Sequence, residues 1–84
     1  MATVVITAEA LDRLATLPRT VQARLLHLTE RLEKWPDVSG AKPLSGSLSG
    51  YWRLRTGDYR LQFRVAGETV IVEKIGHRDG FYEG

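Results

Sequence analysis

The sequence has no cysteine, which excludes disulfide crosslinks and cysteine-based metal sites from this chain of 84 residues. It also has no apolar run near the roughly 18 residues that a membrane-spanning helix needs, so no membrane partner is expected. The amino terminus lacks a basic segment and carries an acid at Glu9, unlike a secretory signal peptide. These absences favour a cytoplasmic protein, because small domains without disulfides suit a reducing compartment.

A large charge of one sign is absent as well. The net charge is only +2, which is too small to indicate a nucleic-acid-binding protein by itself. The hydrophobic share of 43% and the charged share of 26% are typical of a folded protein, and the length predicts a single domain over residues 1–84. The two histidines, His27 and His77, fall on different predicted elements, so neither a metal site nor a cofactor is predicted.

The first part of the chain predicts a strand and two helices. The β-branched segment "TVVIT" predicts a strand that pairs at an edge of a sheet. A helix capped by Thr7 follows and ends near Pro18. A second helix runs to about Trp35, because apolar residues recur there at intervals of four and three, and Pro36 ends it. The apolar stripes of the two helices comprise Leu11, Leu14 and Leu17, and then Val21, Leu25, Leu28, Leu32 and Trp35.

The second part of the chain predicts a loop and three strands. Residues 36–50 are rich in Pro, Gly and Ser, and "LSGSLSG" lacks the sequence context of a phosphate-binding loop, so we interpret the segment as a flexible connection. Strands at about 51–56, 58–66 and 69–75 are joined by short turns into an antiparallel meander. The predicted fold is therefore α+β, in the order β-α-α-β-β-β, with a helical hairpin packed on one face of an antiparallel sheet.

Alternation along the first two meander strands predicts a sheet with two different faces. The set that faces the helices is Trp52, Leu54, Tyr59, Leu61, Phe63 and Val65. The opposite set is Tyr51, Arg53, Arg55, Arg60, Gln62 and Arg64, and we call the surface that carries it the arginine face. The stretch that contains these four arginines has a single acid, Asp58.

Composition leaves two interpretations of the arginine face open. It can be a solvated surface, since antiparallel sheets commonly bury one side and expose the other. It can also bind an anion, because neighbouring like charges repel each other and the guanidinium group binds phosphate with a planar, permanently charged fork. With Tyr51 beside the arginines, such a face suits single-stranded RNA, whose bases stack on aromatic rings.

The carboxyl-terminal segment "IGHRDGFYEG" supplies further candidates. His77, Arg78 and Tyr82 follow the last strand and can curl over an edge of the arginine face. Cations, a histidine and a tyrosine are sufficient for metal-free RNA cleavage, in which the ribose 2′-OH attacks the adjacent phosphorus. The alternative for His77 is an ordinary surface or capping residue, and the alternative for the Phe-Tyr pair is a plug that closes the core.

The combination of "KPLSGSLSGYWRLRTGDYRLQFRV" with "VIVEKIGHRDGFY" closely resembles the RelE/ParE superfamily of toxins from prokaryotic toxin–antitoxin systems, and most of all its RelE branch. The resemblance covers essentially the whole chain and implies a RelE-like fold. It also implies a ribosome-dependent endoribonuclease, an mRNA interferase, that enters the ribosomal A site, cleaves the messenger RNA there without a cofactor, and so inhibits translation.

The resemblance assigns roles to individual positions. Arg53 matches a position for substrate positioning or leaving-group protonation, and Arg60 and Arg78 match ligands of the scissile phosphate. Tyr82 matches an aromatic hydroxyl linked to 2′-OH activation and base stacking, and His77 is available as an acid or base. The remaining RNA-binding candidates are Tyr51, Arg55 and Arg64, with Tyr51 in a place that is often basic in the family.

The resemblance also implies partners and leaves alternatives. A cognate antitoxin, a small protein with acidic and apolar character, is expected to inhibit the toxin, and such pairs often assemble further as heterotetramers. The main alternative is a ParE-like toxin without enzymatic activity that poisons DNA gyrase by binding. A further alternative is a degenerate toxin that is retained for operator control together with its antitoxin.

Overall fold

A five-stranded sheet forms the centre of the fold over residues 1–81, the part of the chain that this computed structural model describes. The strands are β1 (Thr3–Ile6), β2 (Lys42–Pro43), β3 (Tyr51–Thr56), β4 (Tyr59–Ala66) and β5 (Thr69–His77), in the spatial order β1-β5-β4-β3-β2. The α-helices are α1 (Ala8–Ala15) and α2 (Arg19–Arg31), and short 3₁₀ helices occupy Leu32–Lys34 and Gly46–Leu48.

The two helices begin and end for local reasons. The Thr7 hydroxyl accepts a hydrogen bond from the Ala10 N–H at 3.2 Å and caps α1, as predicted. The helix α2 follows Pro18 but ends at Arg31, four residues before the predicted end at Trp35. Its last turn tightens into the 3₁₀ helix because Trp35, which precedes a proline, takes an extended backbone conformation.

The core lies between the helices and one face of the sheet, as predicted. Its buried residues are Ala10, Leu14, Leu25, Leu28, Leu32, Leu54, Leu61, Phe63, Val70, Val72 and Ile75. Trp35 closes one end, with its ring edge-on to Trp52 at 4.9 Å and to Phe63 at 5.2 Å between centroids. The helix α1 contributes Ala10 and Leu14, whereas Leu11, predicted as part of its apolar stripe, is exposed.

The strand order confirms the predicted meander and the edge position of β1, with two additions. The edge strand β1 runs parallel to β5, so the sheet is mixed rather than purely antiparallel. The segment predicted as a loop contains β2, whose Lys42 lies opposite Arg53 on β3. A two-residue strand that contains proline leaves little pattern in a sequence, but an edge strand tolerates it.

A β-bulge interrupts the pairing of β4 with β5. Gln62 is opposite Lys74 and Phe63 is opposite Val72, so Glu73 is one extra residue on β5. The side chains of both Glu73 and Lys74 consequently lie on the arginine face, and the apolar residues on either side of them keep facing the core. Among residues 1–81, no helix has the length and apolar character needed to cross a membrane.

Candidate nucleic-acid interface

Cross-strand pairing arranges the arginine face in three rows, because directly opposite residues on neighbouring strands share a face. The first row, nearest the β3–β4 turn, is Arg55, Arg60 and Gly76. The second row is Lys42, Arg53, Gln62 and Lys74. The third row is Tyr51, Arg64, Ile71 and Val5. The six residues predicted to share this face therefore do so, and β2 and β5 add two lysines.

The first two rows bring cations into direct opposition. Arg55 lies across from Arg60, and Arg53 lies across from Lys42, where like charges are destabilising. Arg53 Nε and Arg60 Nη1 are shielded from solvent, yet neither donates a hydrogen bond to any residue in the described range. Leaving a shielded donor without an acceptor costs about 1–3 kcal/mol. A bound anion would therefore stabilise the guanidinium groups of Arg53 and Arg60.

Arg64 differs from the other arginines of the face because it has an acid partner. Its Nε donates to the Glu73 carboxylate across the β4–β5 pair, and the Glu73 side chain is mostly buried. Asp58 was the one acid in the stretch that carries the four arginines, so Glu73 is a neighbour of the arginine face that sequence reasoning missed. Its one signal was the pair of successive polar residues, Glu73-Lys74, inside an otherwise apolar strand.

Arg78 lies beside the turn between β3 and β4. Its backbone N–H donates to the Asp58 carbonyl at 2.7 Å, and its Nε lies 3.7 Å from the Asp58 carboxylate and 3.8 Å from that of Asp79. The side chains of Arg78 and Asp58 are both more than half exposed. The carboxyl end of β5 is therefore tied to the turn that precedes Arg60.

His77 has a different position from the one expected. Because β5 continues through His77, alternation places this residue opposite Tyr59 on the helix side of the sheet, not over the arginine face. The two rings meet edge-on, with centroids 5.2 Å apart. The Nδ1 atom of His77 accepts a hydrogen bond from the Asp79 N–H at 3.1 Å, which leaves Nε2 as the donor in the neutral ring.

Phe81 covers the end of the first row. A Cβ atom added to Gly76 would meet the Phe81 ring at 3.4 Å, and Lys74 Nζ lies 4.7 Å from the ring centroid and donates to the Phe81 carbonyl. Phe81 is buried and packs on Gly76 and Lys74, so it acts as a plug at this end of the sheet. Tyr82, the predicted catalytic tyrosine, lies outside the described residues.

A helical hairpin on one face of a small sheet is the fold that this chain shares with solved RelE toxins. The family model described as the ParE toxin of the type II toxin-antitoxin system, parDE, matches residues 4–80. The chain therefore belongs to the ParE toxin family, within the RelE/ParE superfamily, and is a toxin of a type II toxin–antitoxin system.

Relatives of known sequence or structure agree with this assignment. Toxin RelE3 of Methanocaldococcus jannaschii is 26% identical over 70 residues, which cover 80% of each chain. A chain of the toxin–antitoxin complex RelBE2 from Mycobacterium tuberculosis has a TM-score of 0.80 and 29% identity, over 92% of this chain and 98% of that one. The isolated RelE toxin of E. coli shares the fold, with a TM-score of 0.75 and 20% identity over 92% and 84% of the two chains. The predicted superfamily and fold class are confirmed.

Proposed function

We propose that this toxin is an endoribonuclease that binds messenger RNA in the ribosomal A site on its arginine face and cleaves it without a metal ion. The observation that carries the proposal is the opposed pair Arg55–Arg60 together with the shielded guanidinium atoms of Arg53 and Arg60 that have no acceptor among residues 1–81. A phosphate group supplies the acceptors and the negative charge that this arrangement requires. The similarity to RelE toxins supports the same conclusion.

In the proposed reaction, the ribose 2′-oxygen loses its proton and attacks the adjacent phosphorus. The bond from phosphorus to the 5′-oxygen of the next nucleotide breaks, and that oxygen takes up a proton, which leaves a 2′,3′-cyclic phosphate. Arg53 and Arg60 stabilise the charge that develops on the phosphate oxygens. A guanidinium group is a poor proton donor, so the contribution of these two residues is electrostatic rather than proton transfer.

The remaining predicted residues have separate parts in this proposal. Arg78 is a second phosphate ligand, which exchanges the carboxylates of Asp58 and Asp79 for RNA when the substrate arrives. Tyr82 activates the 2′-OH, an assignment that rests on the resemblance to RelE toxins. His77 acts through its contact with Tyr59, which supports the strand end that leads into Arg78.

The test is cleavage of a defined message on purified ribosomes, mapped by primer extension. The wild-type protein should cut within the A-site codon, and Arg60→Ala should slow the cut by orders of magnitude. Arg19→Ala is the matched control, because Arg19 is an exposed arginine at the start of α2 and is not part of the sheet. Equal rates for Arg60→Ala and Arg19→Ala would contradict the assignment of the site.

The family model supports a second candidate, a ParE-type toxin that binds and poisons DNA gyrase. Under this alternative, Arg53 and Arg60 have no phosphate to stabilise, and RNA remains intact. A gyrase supercoiling assay beside the ribosome assay separates the two candidates. Inhibited supercoiling without RNA cleavage would replace our proposal, and expression without any growth arrest would indicate a degenerate toxin.

We also propose that a small acidic antitoxin binds and inhibits this protein. The relative from Mycobacterium tuberculosis was solved as a toxin–antitoxin complex, and an excess of cations on one face favours an acidic partner. Co-purification with the product of a neighbouring small acidic reading frame, released by high salt, is the expected result. The mass of the purified complex will show whether it is a heterotetramer.

A further inference from the structure

The cations of the arginine face and its margin fall into two groups. We call Lys42, Arg53, Arg55 and Arg60 the corner cluster; within residues 1–81 none of them forms an ion pair with an acid. We call Arg64, Lys74 and Arg78 the β5 cluster. Each of its members has a partner. Arg64 pairs with Glu73, and Lys74 donates to the Phe81 carbonyl. Arg78 pairs with Asp58 and Asp79. The available positive charge is therefore concentrated where β2, β3 and β4 meet.

Lys42 is the one member of the corner cluster that lay in a predicted loop. The structure places it on β2, directly opposite Arg53, with the pairing continued by the Leu44 N–H to the Tyr51 carbonyl at 2.9 Å. The connection back to β3 turns at Gly46 and Gly50, whose positive φ angles of 65° and 96° favour glycine. The backbone of Lys42 is thus fixed, while its side chain is exposed.

The position of Lys42 extends the corner cluster in one direction. It lies one strand spacing, about 4.8 Å, beyond Arg53, on the side away from β5. Its flexible side chain adds to this reach, so its ammonium group can contact a phosphate beside the one that Arg53 and Arg60 hold. An ammonium group binds phosphate as a point charge, and a contact to phosphate carries no sequence information.

We propose that Lys42 is a substrate-binding residue, which holds the RNA phosphate next to the scissile one at the β2 edge of the sheet. This inference rests on the proposed function, since it names a further contact of the same site. Lys42 binds the flanking phosphate equally in the ground state and the transition state, so it contributes to affinity and not to the chemical step. The RNA consequently leaves the scissile position towards β2, away from Glu73.

The test compares Lys42→Ala and Lys42→Arg with Lys34→Ala. Lys34 is an exposed lysine in the 3₁₀ helix after α2, outside the sheet, and is the matched control. In the ribosome assay, Lys42→Ala should raise KM by about three- to tenfold with kcat unchanged, because one phosphate contact is lost. Lys42→Arg, which keeps the charge, should restore the wild-type KM. Equal KM values for Lys42→Ala and Lys34→Ala would overturn the proposal.

A second measurement identifies the phosphate and separates this inference from the proposed function. A neutral methylphosphonate at the flanking phosphate should weaken wild type and Lys34→Ala alike and leave Lys42→Ala unaffected. Binding of a single-stranded RNA oligonucleotide, followed by anisotropy, should show a salt slope lower by about 0.7 for Lys42→Ala. If wild type binds with this slope difference but cuts no message, the Lys42 contact stands and the nuclease proposal falls. An unchanged slope together with normal cleavage contradicts only the Lys42 contact.

Discussion

The corner cluster and the β5 cluster use the same residue types in opposite electrostatic states. Arg60 and Arg64 are on one strand and share one face, yet Arg60 lies opposite Arg55 while Arg64 is held by Glu73. The spacing of the arginines along β4 does not distinguish them; their cross-strand neighbours do. The comparison shows that one cationic face has an unpaired part and a paired part, and that the neighbouring side chains decide to which part each arginine belongs.

The largest expected effect is on cleavage, and it separates the two clusters directly. Arg60→Ala should lower the rate of message cleavage by about 10²- to 10³-fold, the usual loss when a group that stabilises transition-state charge is removed. Arg64→Ala should change the rate by less than about threefold, because Glu73 already neutralises that guanidinium. Single-turnover cleavage on ribosomes measures both rates. Similar losses for the two variants would show that the ion pair does not exclude Arg64 from the site.

The second prediction introduces an acid partner into the corner cluster. Arg55→Glu places a carboxylate directly opposite Arg60, so cleavage should fall by about tenfold or more through competition with the phosphate. The same change should raise the free energy of unfolding by about 0.5–1 kcal/mol, because a like-charge pair becomes an opposite-charge pair. Arg55→Gln is the control for loss of charge alone. A more stable protein that still cleaves at the wild-type rate would argue against a role for Arg60.

The third prediction removes the acid partner of one arginine of the β5 cluster. Glu73→Gln keeps the shape of the side chain and removes its charge, so Arg64 becomes available to RNA. The salt slope of single-stranded RNA binding should increase by about 0.7, and stability should fall by less than about 1 kcal/mol. The double variant Glu73→Gln with Arg64→Ala should return the slope to the wild-type value. A slope that stays high in the double variant would mean that another cation is responsible.

The smallest expected effect concerns Arg78. Asp58→Asn removes one of its two carboxylate partners but leaves the backbone bond to the Asp58 carbonyl, so stability should change by less than about 0.5 kcal/mol. RNA affinity should rise by at most about twofold, because the freed Arg78 is already more than half exposed. Chemical denaturation and anisotropy measure the two quantities. A large loss of stability would indicate that the ion pair, and not the backbone bond, holds the end of β5.

The sequence predicted those parts of the site that depend on short-range pattern. The four–three spacing of the α2 leucines gave the helix, and strict alternation from Tyr51 to Arg64 gave both faces of the β3–β4 hairpin, because a short turn fixes that register. The positions that differ depend on long-range pairing. His77 lies on the helix side of the sheet because β5 extends beyond the apolar run from which it was predicted. Lys42 lies on the arginine face because it belongs to β2, a strand that was not predicted since it contains Pro43.

The bulge on β5 also has a consequence for how this chain can vary in length. Removing Glu73 altogether would leave Val72, Lys74 and Ile75 opposite Phe63, Gln62 and Leu61, so every other side chain would keep its present face. This deletion in the middle of a central strand would then remove one negative charge and leave the fold unchanged. Cooperative thermal unfolding of the shortened protein is the expected result.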